Sequence, residues 1–121
     1  MGTDRERPVE RFLPLRPVEY VILLSLADGE RHGYGIIKDA ESRGVGKAPD
    51  VGTLYRALRR MTDAGLIAES ERRKASDVED ERRLHYRITP LGKRVARAQA
   101  MQFAALARAA VDGGLLEGGA L

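Results

Sequence analysis

The sequence predicts a mainly α domain that carries one small β-hairpin. Three observations predict it. Apolar residues recur at helical spacing in three short segments, near residues 17–27, 34–43 and 51–64. The period then drops to two in Leu84-His85-Tyr86-Arg87-Ile88, behind an extendable run at 66–71. A long alanine-rich helical pattern opens at Pro90 and continues to about Val111. Three short helices followed by a hairpin are the ingredients of a winged helix-turn-helix domain, and the last helix is additional to it.

At 121 residues the chain has the size of one domain, and with 43% hydrophobic and 32% charged residues it has the composition of a folded one. The absence of cysteine excludes a disulfide framework, a thiolate zinc site and a cysteine nucleophile. It is compatible with the cytoplasmic setting expected for such a chain. Apolar runs such as Val21 to Leu24 are far too short to span a bilayer, so no membrane association is expected. The formal net charge is only +3, so the placement of charge must point to any polyanionic partner.

Residues 1–12 mix Arg5, Arg7 and Arg11 with Asp4, Glu6 and Glu10, the pattern of a flexible, solvated arm. Pro17 suits the first position of a helix because its missing N–H would have no partner there. Val18, Val21, Ile22, Leu23, Leu24 and Leu26 leave this helix little polar surface, and Asp28-Gly29 stops it. The link Glu30-Arg31-His32-Gly33 leads to a second helix, Tyr34 to Arg43, with Ile36, Ile37 and Ala40 inward. Asp50 is the N-cap candidate of a third helix, Val51 to Ala64, and Gly65 its left-handed C-terminal cap. Thr89 and Pro90 restart a helix as N-cap and first residue. The organisation is an arm (1–12), a winged helix-turn-helix domain (13–89), a dimerisation helix (90–112) and a flexible tail (113–121).

The third helix carries the functional signal. At 3.6 residues per turn, Leu54, Leu58 and Met61 point inward, Thr53, Arg56 and Arg60 outward, and Arg59 lies on the flank. Guanidinium groups contact phosphates and can grip guanine O6 and N7 together, so double-stranded DNA is the expected partner. A solvated basic face is the ordinary alternative; its place before a hairpin favours DNA. Tyr55 can pack at the core edge and still present its hydroxyl to a phosphate. In the hairpin, Arg72, Arg73, Lys74, Arg82 and Arg83 flank the acidic stretch 77–81. The basic strand ends are expected on phosphate, with the acidic tip turned away.

Other chemistry finds no support. His32 and His85 lack metal-ligand spacing, so no metal is expected. No phosphate-loop, dinucleotide or nucleophile-elbow pattern is present, and the carboxylates near Asp80 sit in a polar loop with no pocket to raise a pKa. Neither an enzyme nor a cofactor is expected.

In the last helix, Leu91, Val95, Ala98, Met101, Ala105, Leu106 and Ala109 fall on one broad face, with Phe103 and Ala107 on another. A small winged domain cannot cover both. Leu91, Val95, Met101, Phe103 and Leu106 are therefore expected at the interface of a homodimer, the alternative being a helix folded back on its own domain.

In order along the chain stand His32-Gly33-Tyr34-Gly35-Ile36-Ile37, Gly52-Thr53-Leu54-Tyr55-Arg56-Ala57-Leu58, Gly65-Leu66-Ile67 and Tyr86-Arg87-Ile88-Thr89, with Gly92. This ordered set resembles the PadR family of bacterial transcription regulators, over roughly residues 13–112. The resemblance implies a winged-helix repressor that binds a palindromic operator as a homodimer, in the subgroup with one short C-terminal helix. It implies DNA contacts at Thr53 and Tyr55. The family often has proline after that tyrosine, where Arg56 stands here. Some relatives respond to small aromatic or cationic molecules at the dimer interface, so a small-molecule effector is implied there. Tyr20 and Phe103 are candidates to face it, though core packing is the simpler reading of each. A MarR-like regulator and a protein-binding module are the competing classes. A steep fall of DNA affinity with salt separates DNA binding from the latter.

Overall fold

The computed structural model describes residues 8–44, 46–70 and 84–120. Among them the order is α1 (Pro17–Leu26), β1 (Arg31–His32), α2 (Gly33–Arg43), α3 (Val51–Ala64), β2 (Ile67–Glu69), β3 (His85–Ile88) and α4 (Pro90–Asp112). Short 3-10 turns form at Val9–Phe12 and Gly118–Ala120.

Each helix begins where a side chain takes up a free backbone N–H. The Glu19 carboxylate accepts from Arg16 N at 3.0 Å, His32 Nδ1 from Gly35 N at 3.0 Å, Asp50 from Thr53 N at 2.8 Å, and the Thr89 hydroxyl from Gly92 N at 3.0 Å. Gly65 closes α3 at φ 84°, a left-handed conformation that favours glycine.

The sheet is antiparallel in the order β1-β3-β2. Ile67 faces Ile88 and Glu69 faces Tyr86 in the hairpin, while Arg31 and His32 pair with Tyr86 and His85 on the other edge. The sequence reading treats Arg31 and His32 as a link, because two residues carry no period; only the distant β3 makes them a strand. Ser70 reinforces this edge, donating its N–H to the His85 carbonyl at 2.7 Å and its hydroxyl to Glu30 at 2.6 Å. Arg31 ties three elements together: its Nε donates to the Ser25 carbonyl at 2.8 Å and a terminal nitrogen lies 3.3 Å from both Asp28 and Asp39.

The core gathers Ile22, Leu23 and Leu26 of α1, Ile36 of α2, Leu54, Leu58 and Met61 of α3, and Ile67 of β2. Leu91 and Val95 of α4 join it. Both are 0% exposed within a single chain, which corrects their expected place at a dimer interface. The first turns of α4 cross α1 and the base of the hairpin, so this part of the apolar face is already covered. The crossing is tight. A Cβ on Gly92 would overlap the Leu66 carbonyl oxygen. The Thr89 hydroxyl also lies 2.6 Å from the Gly65 carbonyl and 3.0 Å from that of Leu66.

Val9–Phe12, read from sequence as part of the arm, is also a correction. Val9 and Phe12 pack against the core, which is enough to order the segment. Just beyond, Leu15 N donates to the buried Gln99 side chain of α4 at 2.7 Å.

Candidate nucleic-acid interface

The outer surface of α3 presents Tyr55, Arg56, Arg59 and Arg60, which with Asp63 line one shallow concavity of about 290 Å³. The inward residues Leu54, Leu58 and Met61 are buried, so helical periodicity separates the faces as the sequence implies. Arg56 reaches back to the Thr53 hydroxyl at 3.5 Å. Asp50, at the helix entrance, receives the N–H and hydroxyl of Thr53, which hold its carboxyl below the usual range. Arg56 and Arg59 form no ion pair among the described residues, whereas Arg60 does. Its Nε and a terminal nitrogen both lie 3.2 Å from Glu19 Oε2 on α1.

Tyr55 is 45% exposed. A Cβ on Gly33 would overlap its hydroxyl, so glycine at the first turn of α2 leaves the Tyr55 ring room to lie in this position. The ring thereby joins the two helices of the helix-turn-helix pair while its polar tip stays at their outer seam.

Between α3 and the hairpin lies a recess of about 330 Å³ lined by Tyr55, Arg59, Asp63, Glu69, Leu84 and Tyr86. Burial pushes the Tyr86 phenol above its usual pKa, and the Glu69 charge acts in the same direction, so the group stays a donor. Arg87 of β3 is exposed on the hairpin. Sequence reasoning passed over this cation, although the alternation of β3 marks it as outward. Arg72, Arg73, Lys74, Arg82, Arg83 and the acidic stretch 77–81 lie outside the described residues.

α4 supplies a second candidate surface. Met101, Phe103 and Leu106 are exposed, and Phe103 meets Tyr20 of α1 edge to face with ring centroids 5.0 Å apart. Beside this pair a groove of about 400 Å³ runs between α1 and α4, lined by Tyr20, Leu24, Ala27, Lys93, Arg97 and Ala100. His32 and His85 face each other across β1 and β3, ring centroids 5.5 Å apart. No cluster of three potential metal-ligating side chains occurs among the described residues. None of their helices is long and apolar enough to cross a membrane.

The α2–α3 pair followed by the β2–β3 hairpin is the architecture of a winged-helix domain, with Arg56 and Arg59 outward on its second helix. The chain belongs to the PadR-like family of transcriptional regulators, whose model matches residues 22–98. This is a family of DNA-binding proteins, not of enzymes. Among solved structures, the chain is similar to a PadR family regulator of Clostridium difficile R20291, at 23% identity over 78% of this chain and 95% of that one, TM-score 0.65. It is similar to Bacillus subtilis PadR in complex with operator DNA, at 27% identity, TM-score 0.58, over 69% of this chain but 46% of the longer relative. It also shares the fold of the Streptomyces coelicolor regulator PcaV, solved with its natural ligand, at 20% identity over 84% of this chain and 64% of that one, TM-score 0.64. No curated protein matches the sequence significantly.

Proposed function

We propose that the protein is a cytoplasmic homodimeric repressor that reads a palindromic operator. The carrying observation is the surface of α3, where Arg56 and Arg59 stand exposed and unpaired beside Tyr55. In this reading α3 enters the major groove, Thr53 and Tyr55 contact backbone or base edges, and Arg56 and Arg59 meet guanine or phosphate. The hairpin follows the adjacent backbone with Arg87 and with Arg72, Arg73, Lys74, Arg82 and Arg83. The exposed part of α4, with Met101, Phe103 and Leu106, joins two chains so that two α3 helices address half-sites about one helical turn apart. The groove between α1 and α4 is the proposed seat of a small-molecule effector. Its apolar walls and the two cations Lys93 and Arg97 support that reading.

The test is titration of a DNA fragment from upstream of the protein's own gene, at several salt concentrations and against random competitor DNA. Wild type is expected to bind in the presence of competitor. The double variant Arg56→Ala/Arg59→Ala is expected to keep its fold and lose about 2–6 kcal/mol of binding, the range for two guanidinium contacts to bases. Unchanged affinity in the folded double variant would remove α3 from the DNA interface.

A further inference from the structure

The three cations on the outer face of α3 are not equivalent. Arg60 shares a concavity with Arg56 and Arg59, yet its guanidinium is turned to α1, where two of its nitrogens lie 3.2 Å from Glu19 Oε2. The acceptor is held in place. Glu19 is only 16% exposed, and its other oxygen already accepts the Arg16 backbone N–H at 3.0 Å, the bond that caps α1. An ordinary surface ion pair must immobilise both side chains to form. Here one partner is fixed by helix capping, so the pair is retained more firmly than exposure of Arg60 alone suggests.

We propose that Glu19 is a positioning residue that withholds Arg60 from DNA, leaving α3 with two guanidinium groups outside any ion pair instead of three. This rests on the reading of α3 as the DNA-facing helix. A freed Arg60 would add a phosphate contact, and such contacts strengthen binding to any sequence without improving discrimination. Glu19 therefore limits non-specific affinity from a helix that itself need not touch DNA.

The experiment measures affinity for random-sequence duplex DNA against salt. Glu19→Gln keeps a capping oxygen but loses the charge. It is expected to bind about two- to fivefold more tightly, the equivalent of one partly exposed ion pair, with the salt slope steeper by about 0.9 for one added phosphate. In an Arg60→Ala background the same change is expected to do nothing. An unchanged slope in Glu19→Gln, or an equal gain in both backgrounds, overturns the proposal, because only the removal of a negative charge would then be acting. Arg60→Ala alone keeps the test open if Glu19→Gln folds poorly. It should leave the slope as in wild type, and a loss of about 0.9 would place Arg60 already on phosphate. A normal slope in Arg56→Ala/Arg59→Ala would instead count against the underlying reading of α3.

Discussion

Leu91, Val95 and Gln99, in the first half of α4, are buried in the chain's own core, whereas Met101, Phe103 and Leu106, in the second half, stand 65%, 45% and 67% exposed. Both halves carry an apolar face; what changes is the neighbour. The first half crosses α1 and the hairpin base, and in the second half the Phe103 ring still meets Tyr20 of α1 while Met101 and Leu106 stay uncovered. At 1.5 Å per residue α4 is about 34 Å long, more than a domain this small can cover. Helical periodicity reveals that a face is apolar. It does not reveal whether the same chain or another one buries it.

Substitutions can break this contrast. Leu91→Ala should have the largest effect, a loss of about 2–5 kcal/mol in urea unfolding, because it opens a cavity in a closed core. Gln99→Ala should cost about 1–3 kcal/mol in the same measurement, since the buried Leu15 N–H loses its acceptor. Leu106→Glu should change the stability of the single chain by at most about 0.5 kcal/mol, as for other exposed positions. Its effect should appear in sedimentation mass, which is expected to fall from two chains to one. A wild type that already sediments as one chain, or a large stability loss in Leu106→Glu, would erase the distinction between the halves.

The helix borders were legible because they depend on local chemistry. Asp50, Gly65 and Thr89 act within one turn of their own position, and each is found in the capping role that its residue type predicts. The inward residues of α3 were legible for the same reason, as periodicity is local. What escaped depends on partners distant in sequence. β1 exists only through its pairing with β3. Gln99 reads as a polar surface residue until Leu15 is placed against it. Arg60 reads as a free cation on α3 until Glu19, on another helix, is brought to it. The assignment of Leu91 and Val95 to an interface failed because the spacing was right and the covering surface was not known.

The junction at Gly92 has a mechanical meaning. The helix touches the Leu66 backbone there without room for a single methyl group, and Thr89 clasps the carbonyls of Gly65 and Leu66. A junction packed this closely leaves the helix little room to pivot. In a dimer held through the far end of α4, the helix would act as a rigid arm carrying α3 and the hairpin together. A small change in the crossing angle of the two arms would then be delivered as a change in reach between the two DNA-reading heads.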